Sequence, residues 1–271
     1  MLFGKKNCSQ CGSSHDVVDA TCPACRCKDE NFDTLGIPEN ILWLPIWKQI
    51  VIFVIGLIGL NIFSLIGELI FYNYYEEHYV TFITLVNVFR YSLAAISIAA
   101  VLFGDFYRFK PHLKKWQPWL LGVAFGIGII IATILYNAIV NSFYTTTDND
   151  NQEAVNSVVS AYPYASIILL GIVGPVVEEF TYHVGLYSFL RRVNKYLAYA
   201  VTVVIFGLIH FNITATGDSM INELLNLPSY MIAGFILTLA YEKFGLSCCV
   251  VAHVTNNLFS ILIIILFNVI S

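Results

Sequence analysis

A succession of long apolar runs, at about residues 46–71, 80–104, 119–141, 163–190, 196–213, 228–244 and 246–270, constrains this chain more than any other feature. A helix needs about 20 mostly apolar residues to cross the bilayer's hydrocarbon core, so a run of roughly 18 or more reads as a span. Most of the runs meet that length, while 196–213 and 228–244 are borderline. The expectation is an all-α polytopic membrane protein over residues 41–271, with about seven transmembrane helices (six to eight) and the lipid bilayer as its surroundings. Composition agrees. Of 271 residues 58% are hydrophobic and 12% charged, with mean hydropathy +0.72, against about 25% charged in a soluble domain.

Loop charges set the orientation, because Lys and Arg are retained on the cytoplasmic side. Arg108, Lys110, Lys114 and Lys115, then Arg191, Arg192 and Lys195, then Lys243 fall on the side of the N-terminus. The opposite loops carry Glu76, Glu77, Asp148, Asp150, Glu153, Asp218 and Glu223 and lack Lys and Arg. A multi-pass cell-membrane protein with its N-terminal head in the cytoplasm is predicted, and the loop at about 142–162 is expected outside. Trp43, Trp47, Trp116 and Trp119 stand near span ends, where interfacial anchors belong. The first forty residues lack a long apolar stretch and a cleavage site, so they do not read as a signal peptide.

Residues 1–28 form a cysteine-rich head, followed by a polar linker at 29–40. Cys8-x2-Cys11 and Cys22-x2-Cys25 supply two thiolate pairs suited to one tetrahedral Zn²⁺ in a zinc-ribbon-like module. So short a segment cannot build a core, and the metal would supply its folding energy. Cys27 is an alternate ligand. Four cysteines would leave no open coordination position, so the head is expected to be structural or partner-binding rather than catalytic. The head's acidic balance argues against nucleic acid as a partner. Cys248 and Cys249, in the last run, read as small buried apolar residues.

Charged residues inside a membrane are costly and need an explanation. Glu178 and Glu179 lie within the fourth run, after Gly171, Gly174 and Pro175; His210 ends the segment Phe206-Gly-Leu-Ile-His210; His253 and Asn257, four apart, share one helical face. Counted from the basic ends at about 1.5 Å per residue, Glu178, His210, His253 and Asn257 lie roughly 12 to 21 Å deep, in one band. A single polar pocket reached from the cytoplasmic half is expected. A carboxylate and a histidine can together polarise water, while a second His with Asn can donate to a developing oxyanion. That chemistry is peptide hydrolysis without a protein nucleophile. HExxH and GxGD signatures are absent. Zn²⁺ held by Glu178, His210 and His253 remains a rival arrangement.

At these residues the chain resembles the CAAX protease and bacteriocin-processing family (CPBP, or Abi), which includes the type II CAAX prenyl endopeptidases. Its motifs EExxxR, FxxxH and HxxxN match Glu178-Glu179-Phe-Thr-Tyr-His183, Phe206 to His210 and His253 to Asn257. The similarity covers about residues 160–265. His183 stands where the family has arginine, as a possible orienting partner of Glu179. The resemblance implies a glutamate-dependent intramembrane endopeptidase acting on membrane-associated peptides or proteins, with no catalytic metal. Glu178 and His210 would activate water, Glu179 would complete the catalytic set, and His253 and Asn257 would form the oxyanion hole. Two alternatives stand beside it: a catalytically silent membrane partner in bacteriocin immunity or sensor-kinase signalling, and a metal-dependent peptidase using the same Glu and His residues.

Overall fold

The computed structural model describes residues 2–28 and 37–270. A two-stranded antiparallel hairpin, β1 (Lys5–Asn7) and β2 (Ser14–Asp16), pairs Lys6 with His15. Nine helices follow among the described residues: α1 (Ile46–Tyr74), α2 (Tyr79–Leu102), α3 (Phe106–Lys114), α4 (Gln117–Asn141), α5 (Asp150–Ala161), α6 (Pro163–Arg191), α7 (Lys195–Leu208), α8 (Asp218–Phe244) and α9 (Leu246–Val269). Six of them, α1, α2, α4, α6, α8 and α9, are long and apolar enough to cross a membrane. The borderline run at 228–244 lies within a helix of 27 residues. By contrast α7 has 14 residues, about 21 Å, and falls short of a full crossing.

Helix ends follow local chemistry. Asn149 caps α5 by accepting the Gln152 amide, and Asn194 caps α7 by accepting the amides of Tyr196 and Leu197. Gly245, at φ 86°, permits the sharp turn from α8 into α9. Three stretches wind as π-helix: Ile55–Gly59 in α1, and Leu169–Val173 and Glu179–Tyr187 in α6. Such insertions cost hydrogen-bond geometry and gather at functional sites.

Small residues bring the helices together, as packing between apolar helices in lipid requires. A methyl on Gly122 or Gly126 of α4 would stand 2.7 Å from the carbonyl oxygens of Cys248 and Ala252 in α9. A methyl on Gly185 would reach the Phe53 amide of α1 at 2.9 Å.

The head docks on the ends of these helices. Arg192, at 0% exposure, donates to both oxygens of Asp16 (3.2 Å each), to the Leu2 carbonyl (3.1 Å), to Gln49 (3.1 Å) and to the Leu44 carbonyl (2.9 Å). Its own carbonyl accepts the Leu2 amide at 2.7 Å. Arg108 bridges Asp19 of the head and Asp105. Of the expected linker, residues 29–36 lie outside the described residues, while Ile37 is buried and Asn40 donates to the Lys243 carbonyl at 2.7 Å. Trp47, Trp116 and Trp119 are exposed near helix ends as anchors should be. Trp43 departs from that expectation. It is buried and its indole donates to the Pro38 carbonyl at 3.0 Å, because the chain before α1 packs into the floor of the bundle.

Candidate active site

A cavity of about 190 Å³ lies among α2, α5, α6, α8 and α9 and the residues around His210. Glu178, His210, His253 and Asn257 all line it, so the four residues expected in one layer do meet. Asn151, Gln152 and Val155 of α5 complete its wall, and the described lining residues include none from the Lys- and Arg-bearing loops. The α5 residues reach it because α5 packs against α2 and α9.

Within the cavity the proton positions follow from the hydrogen bonds. His210 Nδ1 lies 2.9 Å from the Phe206 carbonyl, which can only accept, so Nδ1 carries the hydrogen and a neutral ring presents Nε2 as a lone pair. The ring stacks on Tyr230 at 4.4 Å. Glu178 accepts from the Tyr91 hydroxyl at Oε1 (3.3 Å), while its buried Oε2 has no hydrogen-bond partner. His253 Nε2 lies 3.8 Å from that Oε2, too far for a direct bond. Asn257 uses one amide hydrogen on the Leu170 carbonyl at 3.1 Å and keeps a second.

Behind this wall stand Glu179 and His183, both at 0% exposure and outside the cavity lining. Glu179 Oε1 bonds His253 Nδ1 at 2.7 Å, and Oε2 bonds His183 Nδ1 at 2.6 Å. Cys249 also donates its thiol to Oε2. Sequence reasoning took Cys249 for an apolar filler; one feature that would have flagged it is its place four residues before His253, one helical turn away. Tyr91 and Thr238, the latter 3.1 Å from His183 Nε2, were also missed, since neither lies in a motif.

In the head, the ligand atoms of Cys8, Cys11, Cys22 and Cys25 all lie within 4.8 Å of one another. Sulfur pairs stand 3.6 Å (Cys8, Cys25) and 3.7 Å (Cys11, Cys22) apart, close to the edge of roughly 3.8 Å expected for a tetrahedron with metal–sulfur bonds of about 2.3 Å. The two knuckles share one backbone pattern: Gly12 and Arg26, both at positive φ, donate to the carbonyls of Cys8 and Cys22. The residues present therefore fit a metal ion. Cys27 is not one of the four; its thiol points to the Cys25 carbonyl.

Comparison with known proteins adds a family to this geometry. Residues 160–259 match the family model described as type II CAAX prenyl endopeptidase Rce1-like. An uncharacterized protein of Mycoplasma capricolum subsp. capricolum is 27% identical over 196 residues, 66% of this chain, which spans 55% of that protein's length. The UPF0177 protein YvdC of Lactococcus lactis subsp. lactis is 25% identical over 198 residues, covering 70% of this chain and 69% of its own. A second lactococcal UPF0177 protein, YbdI, is 29% identical over 133 residues, 47% of this chain and 70% of its own. No solved structure matches. The matched segment opens just before α6 and closes within α9, and so carries Glu178, Glu179, His183, His210, His253 and Asn257: residues 160–259 are similar to an Rce1-like domain.

Proposed function

We propose that this protein is an intramembrane endopeptidase that hydrolyses peptide bonds in membrane-associated peptides or proteins, without a catalytic metal. The observation that carries the reading is Glu178 Oε2, a buried carboxylate oxygen with no partner, in a cavity that also holds the His210 and His253 rings. A buried acceptor left unpaired is costly unless water or substrate satisfies it. In this reading a water bound to Glu178 and His210 Nε2 loses a proton to one of them as its oxygen attacks the carbonyl carbon. The oxyanion accepts from His253 Nε2–H and from the second amide hydrogen of Asn257. As the C–N bond breaks, the proton passes to the departing amine, leaving a carboxylic acid that ionises. Glu179 acts through His253: its carboxylate at 2.7 Å stabilises the imidazolium that such donation requires. The head binds one structural Zn²⁺ through Cys8, Cys11, Cys22 and Cys25 and lies in the cytoplasm.

Glu178→Gln and His210→Ala test this. Each is expected to lower cleavage by about 10² to 10⁴, the usual loss on removing a positioned acid or base, while the protein still accumulates in the membrane. Full activity in either variant rejects the peptidase. If a cellular phenotype that depends on the protein survives Glu178→Gln, the silent-partner reading replaces it.

A further inference from the structure

Arg90 is a charge that the chain itself leaves unanswered. It sits at the middle of α2, about 16 to 18 Å from either end at about 1.5 Å per residue, too deep for its side chain to reach a membrane face. A guanidinium at that depth is costly and is ordinarily paired. Yet its Nε is buried without a hydrogen-bond partner, and no carboxylate among the described residues forms an ion pair with it. The cavity lining holds one carboxylate, Glu178, which does not serve it: Oε1 accepts from Tyr91, and Oε2 has no partner.

Arg90 lines the same cavity as Glu178 and His210, and is the one Lys or Arg among its described lining residues. Its guanidinium carbon lies 4.9 Å from the centre of the Tyr91 ring, a cation–π distance that holds it at the wall. Asn87, three residues earlier on the same face of α2, lines the cavity too, and its amide has no hydrogen-bond partner among the described residues. The acceptor these donors lack is an anion from outside the chain. A planar guanidinium matches a carboxylate through two parallel N–H bonds, and Asn87 can add a third. A lipid phosphate belongs at the membrane surface, about 15 Å from the bilayer centre. A peptide, by contrast, carries a carboxylate at its C-terminus and can carry others as Asp or Glu.

We propose that Arg90, with Asn87, binds a carboxylate of the peptide substrate within about two residues of the bond that is cut. The 190 Å³ cavity, about 7 Å across if compact, accommodates on the order of two residues of extended chain at about 3.5 Å each. The effect on cleavage rests on the peptidase reading; capture of the carboxylate does not.

The probe is a library of apolar octapeptides made in three series: free C-terminal acid, C-terminal amide, and amide with one Asp or Glu. Full-length Glu178→Gln protein in detergent, which binds without cutting, should retain one of the charged series roughly 10- to 100-fold better than the neutral amides, as bonds to a charged group warrant. The favoured series identifies the source of the carboxylate. Adding Arg90→Gln should abolish the preference, and adding Arg90→Lys, which keeps the charge but loses the fork, should leave part of it. Taking an unpaired charge out of the mid-membrane does not hinder insertion, so both variants should accumulate normally. In the active protein the same preference should appear in kcat/KM, carried by KM, and vanish in Arg90→Gln. Equal retention of all three series, or a preference that survives Arg90→Gln, overturns the proposal. So does a loss of equal size in all three series, which would make Arg90 a countercharge to Glu178 alone. If wild type cuts no series better than Glu178→Gln does, the peptidase reading fails while retention still decides the role of Arg90.

Discussion

Removing the Asp16 carboxylate tests whether the head is an appendage or part of the membrane domain. Arg192 is fully buried, and Asp16, its one carboxylate partner among the described residues, keeps a side-chain exposure of 23%. Asp16→Ala leaves the guanidinium with neutral acceptors only: the Leu2 and Leu44 carbonyls and Gln49. Breaking a buried pair in this way costs about 3 to 5 kcal/mol, and partial solvation of Asp16 sets the lower end, about 3 kcal/mol. At 1.36 kcal/mol per decade, that is roughly a 150-fold shift of the docking equilibrium. Hydrogen exchange at the Leu2 amide, which donates to the Arg192 carbonyl, reads it directly. Exchange there should quicken by about that factor, with bound metal retained. Asp16→Ala combined with Arg192→Met should be less destabilised than Asp16→Ala alone, because the uncompensated charge has gone. Unchanged exchange in the single variant, or a double variant that merely adds the two losses, would refute the clamp.

Three further outcomes follow from the same structure. Asp105 lies 2.6 Å from Lys48 and 2.8 Å from Arg108. Burial alone would raise its pKa, but hydrogen bonds from Lys48 and Arg108 outweigh burial and hold it below the usual carboxylate value. The stabilisation is thus present above the ordinary carboxylate range and lost as pH falls through the lowered pKa, a loss that Asp105→Asn should abolish in acid melting curves. Gly126→Leu should separate α4 from α9 and destabilise by about 1 to 3 kcal/mol or more, read as a lower denaturation midpoint; a wild-type midpoint would deny the close approach. Thr145, exposed in the loop between α4 and α5, can report sidedness. Thr145→Cys should react with an impermeant thiol reagent in intact cells, and labelling only after lysis would invert the orientation.

The spans, the loop charges and the paired cysteines were legible in the sequence because each is a local property. Apolar length reports on the bilayer, Lys and Arg distribution on its two faces, and Cys-x2-Cys on a single turn of chain. Glu178, His210, His253 and Asn257 were legible for a related reason, since a polar group in an apolar run must find a purpose. What the sequence could not decide is who faces whom. Glu178 and Glu179 are adjacent and chemically identical, yet one lines the cavity and the other stands behind it, because successive residues on a helix point about 100° apart and Glu179 turns toward His183 and His253. Cys249 and Thr238 acquire their roles only by lying beside Glu179 and His183, 70 and 55 residues away. That Asn151, Gln152 and Val155 of α5 line the cavity was likewise beyond the sequence, since this polar helix gives no hydrophobic signal. Local pattern determines that a helix crosses the membrane; contacts between distant segments determine what it holds there.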